Sequence, residues 1–398
     1  MCIGKYKMSS IGIIPIDWDV KRVKDFGQVY TGNTPPTSDL SNYGCEFKFV
    51  SPADITDAKY IGHTEKGLSS KGFAASRNAE KGAVLFTCIG STIGKCAIAN
   101  ESIAFNQQIN AVVCDENHDA EFLYYELCRS ASIIKLLAGE QAVPIVNKST
   151  FENFKVICPS IYEQKEISKL LSLWDKAIEK QTELIEKLKL RKRGLMQQLL
   201  TGKKRLPGFT GNWKTLKLGE LFSERNETNC SGLPLLSITG DRGVIYQSDS
   251  EKRDISNDDK SKYKRICPFD IGYNTMRMWQ GRSALSMLEG IVSPAYTIVT
   301  PRDFVDVRFM ALLIKEPHVV HKFWEHSQGL VSDTLNCKFP DFCQVKVTIP
   351  PQKEQVAIAN MISSFDEELK FENEKLLSLQ IQKRGLMQQL LTGKKRIV

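Results

Sequence analysis

The sequence predicts an α+β protein: two globular mixed α/β domains separated by two long antiparallel helices that form a coiled coil, the halves related by a pseudo-two-fold axis. Three observations predict it. A 47-residue segment occurs twice, both copies carry a helical apolar seam, and each copy follows a globular stretch of nearly the same length. The domains are read as residues 1–158 and 206–349, and the helices as residues 159–205 and 350–398.

A chain of 398 residues is too long for one hydrophobic core. Its 42% hydrophobic and 25% charged residues exclude a disordered or fibrous chain. No apolar run approaches the roughly 20 residues of a membrane helix, and Met1 to Trp18 lacks the apolar core of a signal peptide, so the reading is cytoplasmic with no membrane partner. Eleven cysteines without a Cys-x-x-Cys pair read as scattered reduced thiols.

The repeat is unambiguous. Lys192 to Arg205 recurs letter for letter at Lys383 to Arg396, and the match extends upstream without a gap to Pro159 and Pro350. Before the fourteen identical residues only 8 of 33 agree, among them Glu163-Gln164 with Glu354-Gln355 and Asp175 with Asp366. A constraint therefore acts on the tail in particular: either one partner surface used twice, or recombination between the copies.

Steps of four and three along the first copy give Ile167, Leu171, Trp174, Ile178, Gln181, Ile185, Leu188, Lys192, Leu195 and Leu199. The second gives Ile358, Ile362, Phe365, Leu369, Glu372, Leu376, Leu379, Lys383, Leu386 and Leu390, with polar breaks at the same two places. Ser160-x-x-Glu163 offers a capping box, Thr201-Gly202 and Thr392-Gly393 offer stops, and the Lys-Lys-Arg triplets that follow complement the negative helix ends. Each rod is about 60 Å long at 1.5 Å per residue.

Ahead of each helix, Trp18-x-x-x-x-Val23-x-Asp25-Phe26 matches Trp213-x-x-x-x-Leu218-x-Glu220-Leu221. The stretch from Trp to Pro measures 141 residues in the first unit and 137 in the second, with very different sequences. Such a frame suits a protein that reads two different things at a fixed separation. Because only Leu206 to Asn212 separate the first helix from Trp213, that helix leaves the first domain and ends beside the second. A second unit of the same geometry sends its helix back, which places Met1 near Val398.

The net charge of +8 is not spread over the chain. Residues 1–158 hold 16 Lys/Arg against 17 Asp/Glu and residues 206–349 hold 18 against 17, so the surplus lies in the helical segments. Chemistry-bearing motifs are weak. Gly90 to Cys96 is one residue short of a phosphate-binding loop and ends in Cys, while Ser293-Pro294-Ala295-Tyr296 lacks the second proline of an amino-methyltransferase loop. Asp57-Ala58-Lys59 has nuclease-like spacing without the companion acids, and His318, His321 and His326 lie in a stretch that reads as a packed helix. No catalytic residue and no metal ligand is assigned.

The opening Ile14-Pro15-x-x-Trp18, Gly32-Asn33-Thr34-Pro35, Asp54-Ile55, Asn106-Gln107 and Asn147-Lys148-Ser149 recur in an order that resembles a known family. So do Leu235-Leu236-Ser237, Arg242 to Ile245 and Gly290 to Tyr296 in the second domain, and the two Leu-x-Gln-Gln-Leu-Leu-Thr-Gly ends. The chain resembles the specificity subunit of type I restriction-modification enzymes over nearly its whole length. The resemblance implies two target recognition domains, a two-part asymmetric site on double-stranded DNA, and no catalytic centre in the chain. It also implies two modification subunits that bind S-adenosylmethionine and methylate adenine, and restriction subunits that bind ATP and cleave DNA, so no cofactor is expected here.

Bases are distinguished in the major groove by Arg, Lys, Asn and Gln, while other cations fix position on phosphates. In the second domain the candidates are Arg242, Lys260, Lys262, Tyr263, Lys264, Arg265, Arg277, Gln280 and Arg282. In the first they are Lys48, Lys71, Arg77, Ser91, Lys95 and Gln107. A stand-alone DNA-binding regulator, a coiled-coil scaffold and an enzyme in its own right are the competing readings.

Overall fold

The computed structural model describes residues 5–139, 142–230, 232–240, 242–250, 259–329 and 335–397. The chain divides into two compact units, residues 1–183 with 374–398, and residues 184–373. Each unit thus holds one head and a half of each long helix. The helices run Ile161–Leu200 and Gln352–Leu390, close to the bounds read from the repeat.

In the first unit Gly27–Thr31, Ile109–Cys114, Val84–Thr87 and Cys96–Ile98 form an antiparallel sheet in that order. The helix Ala120–Leu136, capped by Asp119, packs Phe122, Leu123 and Leu127 into the same core as Val84, Phe86 and Val112. A second sheet, Lys66–Leu68, Tyr43–Val50, Ile103–Phe105 and Asn78–Ala79, contains one parallel pair. In the second unit Phe222–Arg225, Tyr296–Pro301, Ile271–Asn274 and Ser283–Leu285 repeat the antiparallel sheet order. It is followed by Val307–Leu313, capped by Asp306. The heads therefore share a core sheet as well as a frame, which their dissimilar sequences did not disclose.

The frame is built the same way in both units. Asp19–Arg22 pairs with Lys155–Cys158, and Lys214–Lys217 pairs with Lys346–Ile349. Glu163, whose side chain is 4% exposed, accepts from Trp18 Nε1 at 2.8 Å and from Arg396 Nε at 2.6 Å, and the Arg396 guanidinium lies over the Trp18 ring. Glu354, with no side-chain exposure, accepts from Arg205 Nε at 2.5 Å and Nη2 at 2.7 Å, while Arg205 lies over Trp213. The neighbouring glutamines act alike. Gln164 accepts the Asp119 amide and donates to the Pro159 carbonyl, and Gln355 accepts the Asp306 amide and donates to the Pro350 carbonyl.

The arginines of the Lys-Lys-Arg triplets thus do more than complement a helix end: they close a knot of helix start, helix end and tryptophan. The stops are as expected, with Gly202 and Gly393 at φ +71° and +69°. A Cβ on Gly393 would lie 2.4 Å from Pro15 Cγ.

All sixteen apolar seam residues are buried or half-buried, including Ile185 and Leu188 in the middle of the first helix and Leu376 and Leu379 in the second. The helix halves run antiparallel within each unit. In the first, Glu163 meets Arg396 and Asp175 meets Lys383; in the second, Lys192 meets Asp366 and Arg205 meets Glu354. The lysine breaks in the seam are therefore paired, each with the repeat-equivalent aspartate. The first and last described residues of the chain share the first unit, where Tyr6 Oη donates to the Gly393 carbonyl and Arg396 binds Asp17. Met1 and Val398, expected to be neighbours, lie outside the described residues.

Arg396→Ala should destabilise the first unit by about 3 kcal/mol in denaturant unfolding, because Glu163 stays buried without its cation. Arg396→Met with Glu163→Gln should recover most of this, since glutamine still accepts from Trp18. A loss under about 0.5 kcal/mol would show that the knot is a surface contact. The bond from Arg396 also holds the Asp17 carboxyl below its ordinary range. That contribution is present above pH ~4 and is lost as the pH falls through the native value.

Candidate nucleic-acid interface

In the first head the loop Gly32–Pro35 gathers two of the six candidates. Gly32 donates its amide to the Ile109 carbonyl and Asn33 to that of Phe105, and a Cβ on Gly32 would fall 2.2 Å from the Phe105 oxygen. Only glycine fits. Thr34 Oγ1 then donates to Gln107 Oε1 at 2.7 Å, and the Arg77 amide donates to Asn33 Oδ1. Arg77 and Gln107 are thereby brought to one exposed loop cluster with Asn33 and Thr34.

The other four candidates of this head are not part of that cluster. Lys48 pairs with Glu101 at 2.6 Å and Lys71 with Asp39 at 2.8 Å. The Lys71 bond holds the Asp39 carboxyl down at about 2. Lys95 donates to the Pro52 carbonyl, and Ser91 is exposed on the turn Gly90–Gly94. That turn spends its amides internally: Gly90 donates to the Pro144 carbonyl and Gly94 to that of Thr87. Lys59 of the Asp-x-Lys triplet is buried against Glu121 at 3.0 Å and Ser172 at 2.7 Å.

The basic cluster of the second head is largely neutralised. Arg265 binds Glu227 at 2.8 Å and Glu289 at 2.5 Å, and Lys264 approaches Glu224 at 3.5 Å. These bonds push the Arg265 guanidinium up and pull the Glu227 carboxyl down. Tyr263 is 7% exposed, so its ring is no free stacking platform, and Lys260 lies over that ring at 5.0 Å. Lys262 is exposed. The acids responsible stand 24 to 40 positions away in sequence, which hid them from a local reading of the run.

The loop after Ile271–Asn274 differs. Arg277, Gln280 and Arg282 are exposed, and none of the three side chains meets a carboxylate among the described residues. Met278, fully buried, anchors the loop; Trp279 Nε1 donates to the Met276 carbonyl, and Gly281 turns the chain at φ +72°. Arg242 sits on the Thr239–Gly243 turn and donates to the Asp249 carbonyl.

The remaining motifs have structural partners. Ser293 to Tyr296 forms a turn closed by the Tyr296 amide on the Ser293 carbonyl, and His321 stacks on Trp324 in the helix Pro317–His326. Among the described residues no cluster of His, Cys, Asp or Glu has the arrangement of a metal site, and no helix is long and apolar enough to cross a membrane.

Comparison with known proteins agrees with this architecture. Residues 15–190 match the family model described as type I restriction modification DNA specificity domain. The MjaIX specificity subunit of Methanocaldococcus jannaschii is 32% identical over 195 residues, covering 47% of this chain and 45% of that one. The MjaVIII specificity subunit of the same organism is 24% identical over 418 residues, covering 96% and 94%. The solved type I restriction-modification system S subunit from M. genitalium has the same fold, with a TM-score of 0.56 and 15% identity over 97% of this chain and 98% of that one. The first head and most of the first helix lie inside the match to that family's domain, and the sequence is similar to a specificity subunit over nearly its whole length.

Proposed function

We propose that this chain supplies the address of a type I restriction-modification complex, each head reading one half of a two-part asymmetric site on double-stranded DNA. Two modification subunits, which bind S-adenosylmethionine and methylate adenine, dock on the helices. Restriction subunits that bind ATP and cleave DNA complete the complex in the cytoplasm. The chain itself takes no cofactor and performs no catalysis.

One observation carries the reading. Of the fourteen repeated residues, Leu199, Leu200, Lys192 and Arg205 and their equivalents Leu390, Leu391, Lys383 and Arg396 make the same packing contacts in their units. Packing explains their identity. It does not explain Arg193, Gln197 and Lys203, or Arg384, Gln388 and Lys394, which are all exposed. Nor does it explain Gly194 and Gly385, where a Cβ would meet nothing within 4 Å. Glycine inside a helix costs about 0.5–1 kcal/mol relative to alanine, and this chain gains nothing from it in its own packing. A surface presented twice, with an open glycine that admits close approach, suits one kind of partner bound twice. The heads, by contrast, present different loops on a common sheet, which suits two different DNA half-sites.

Replacing residues 213–349 with another head of the family should change one half of the methylated motif, read by mapping modified adenines in cells. Changes in both halves would refute the division of labour. Gly194→Leu with Gly385→Leu should abolish co-purification of modification subunits while the unfolding midpoint holds. Undiminished association would remove that face from the docking surface. A stand-alone regulator would instead bind its DNA specifically without modification subunits.

A further inference from the structure

The second head has a concave surface whose cations pair with no carboxylate among the described residues. A groove of about 640 Å³ is lined by Gly240, Gln280, Gly281, Arg282 and Lys315. Three separate elements meet there: the turn of the hairpin Leu236–Ile238/Val244–Tyr246, the loop before Ser283–Leu285, and the end of Val307–Leu313. The Arg282 guanidinium lies across the hairpin turn so closely that a Cβ on Gly240 would stand 2.4 Å from its Nη1. Glycine at 240 is what lets the arginine lie there.

We infer that this groove, and not the Lys260–Arg265 run, holds the DNA backbone against the second head, with Arg282 and Lys315 on phosphates and Gln280 facing the bases. The inference rests on the proposed reading of the chain as a DNA-reading subunit and adds the place of contact.

Charge decides between the two surfaces. In the Lys260–Arg265 run, Arg265 and Lys264 already bind Glu227, Glu289 and Glu224, so a phosphate there must displace carboxylates. In the groove no carboxylate lies within 4 Å of Arg282 or Lys315 among the described residues. Burial pushes the Lys315 ammonium below its ordinary range. Glu316 beside it turns inward, 8% exposed, at the start of Pro317–His326.

Geometry supports the same place. The Arg277–Arg282 loop is held before any ligand arrives, with the Asn274 amide on the Arg282 carbonyl and the Arg282 amide on that of Arg277. Its polar tips therefore lose little freedom on binding. The groove is wide and open rather than enclosed, which fits a strand of phosphodiesters passing through. Sequence reading missed Lys315 because it stands alone, outside any basic run.

The test uses the full chain assembled with its modification subunits and a duplex carrying the methylated motif mapped in cells. Binding is measured between about 50 and 200 mM salt. Arg282→Ala with Lys315→Ala should reduce the slope of log affinity against log salt by about two, roughly one per phosphate contact. Lys264→Ala with Arg265→Ala should leave the slope unchanged. Lys315→Arg in an otherwise native chain should keep it, which separates charge from fold, and assembly with modification subunits confirms folding of every variant. An unchanged slope in the Arg282/Lys315 variant, or the loss appearing in the Lys264/Arg265 variant, overturns the groove. Absence of salt-dependent binding by the unaltered complex would overturn the DNA reading itself.

Discussion

A buried glutamate in the first turn of each long helix is the constraint on which the remaining structure depends. Placing a carboxylate out of water is costly unless a cation and hydrogen bonds meet it. The cation comes from the far end of the other helix, Arg396 for Glu163 and Arg205 for Glu354, and the tryptophan that opens each head lies beneath it. Satisfying one side chain thus fixes where a helix begins, where its partner ends and how the head enters. The adjacent glutamine extends the grip to the capping residue of the head's helix. The two knots differ at the tryptophan, where Trp18 Nε1 donates to Glu163 and Trp213 Nε1 is buried without a partner, and at the arginine, where Arg396 also binds Asp17 and Arg205 the Gly211 carbonyl.

The seam obeys the same economy. Apolar residues supply burial without direction, and a heptad seam alone admits several registers. Lys192 with Asp366 and Lys383 with Asp175 select one, because a shift by a turn would strand a half-buried lysine among leucines. Each pair lies inside one unit, so each unit sets its own register. In the first unit Asp175 also takes the Tyr125 hydroxyl, and Lys59 nearby binds Ser172, so the head is tied into the helix by a polar cluster. The tail must therefore be identical twice for its buried face, and on the proposed reading its exposed face answers to a partner.

Much of this was legible in the sequence, and for physical reasons. Helical periodicity and a literal repeat are local signals, and they placed both helices, their stops and all sixteen seam residues. The shared core sheet was not legible: Val84–Thr87 and Ile109–Cys114 are buried on both faces at most positions and show no polar alternation to align with the second head. The partners of the candidate interface residues were least legible, because a basic run announces charge but not the acids that fold onto it from elsewhere. Arg265 and Lys48 are such cases, with partners Glu289 and Glu101 that only the fold brings near. Arg77 and Gln107, chosen on residue type, do meet on one loop cluster, since Gly32 and Asn33 tie the strand ends that carry them.

The claim that one frame is used twice has a direct physical test in chain connectivity. In the second unit the helix end at Leu200 is joined to Trp213 by a short covalent link; in the first unit the helix end at Leu390 meets Trp18 from the opposite part of the sequence, held by Arg396 on Asp17 and Glu163. A chain opened between Leu206 and Asn212, with its original ends joined by a copy of that segment, should unfold at the same denaturant midpoint and specify the same DNA motif when assembled with modification subunits. If the permuted chain lost its cooperative unfolding or specified another motif, the two units would not be equivalent frames, and the account would fail.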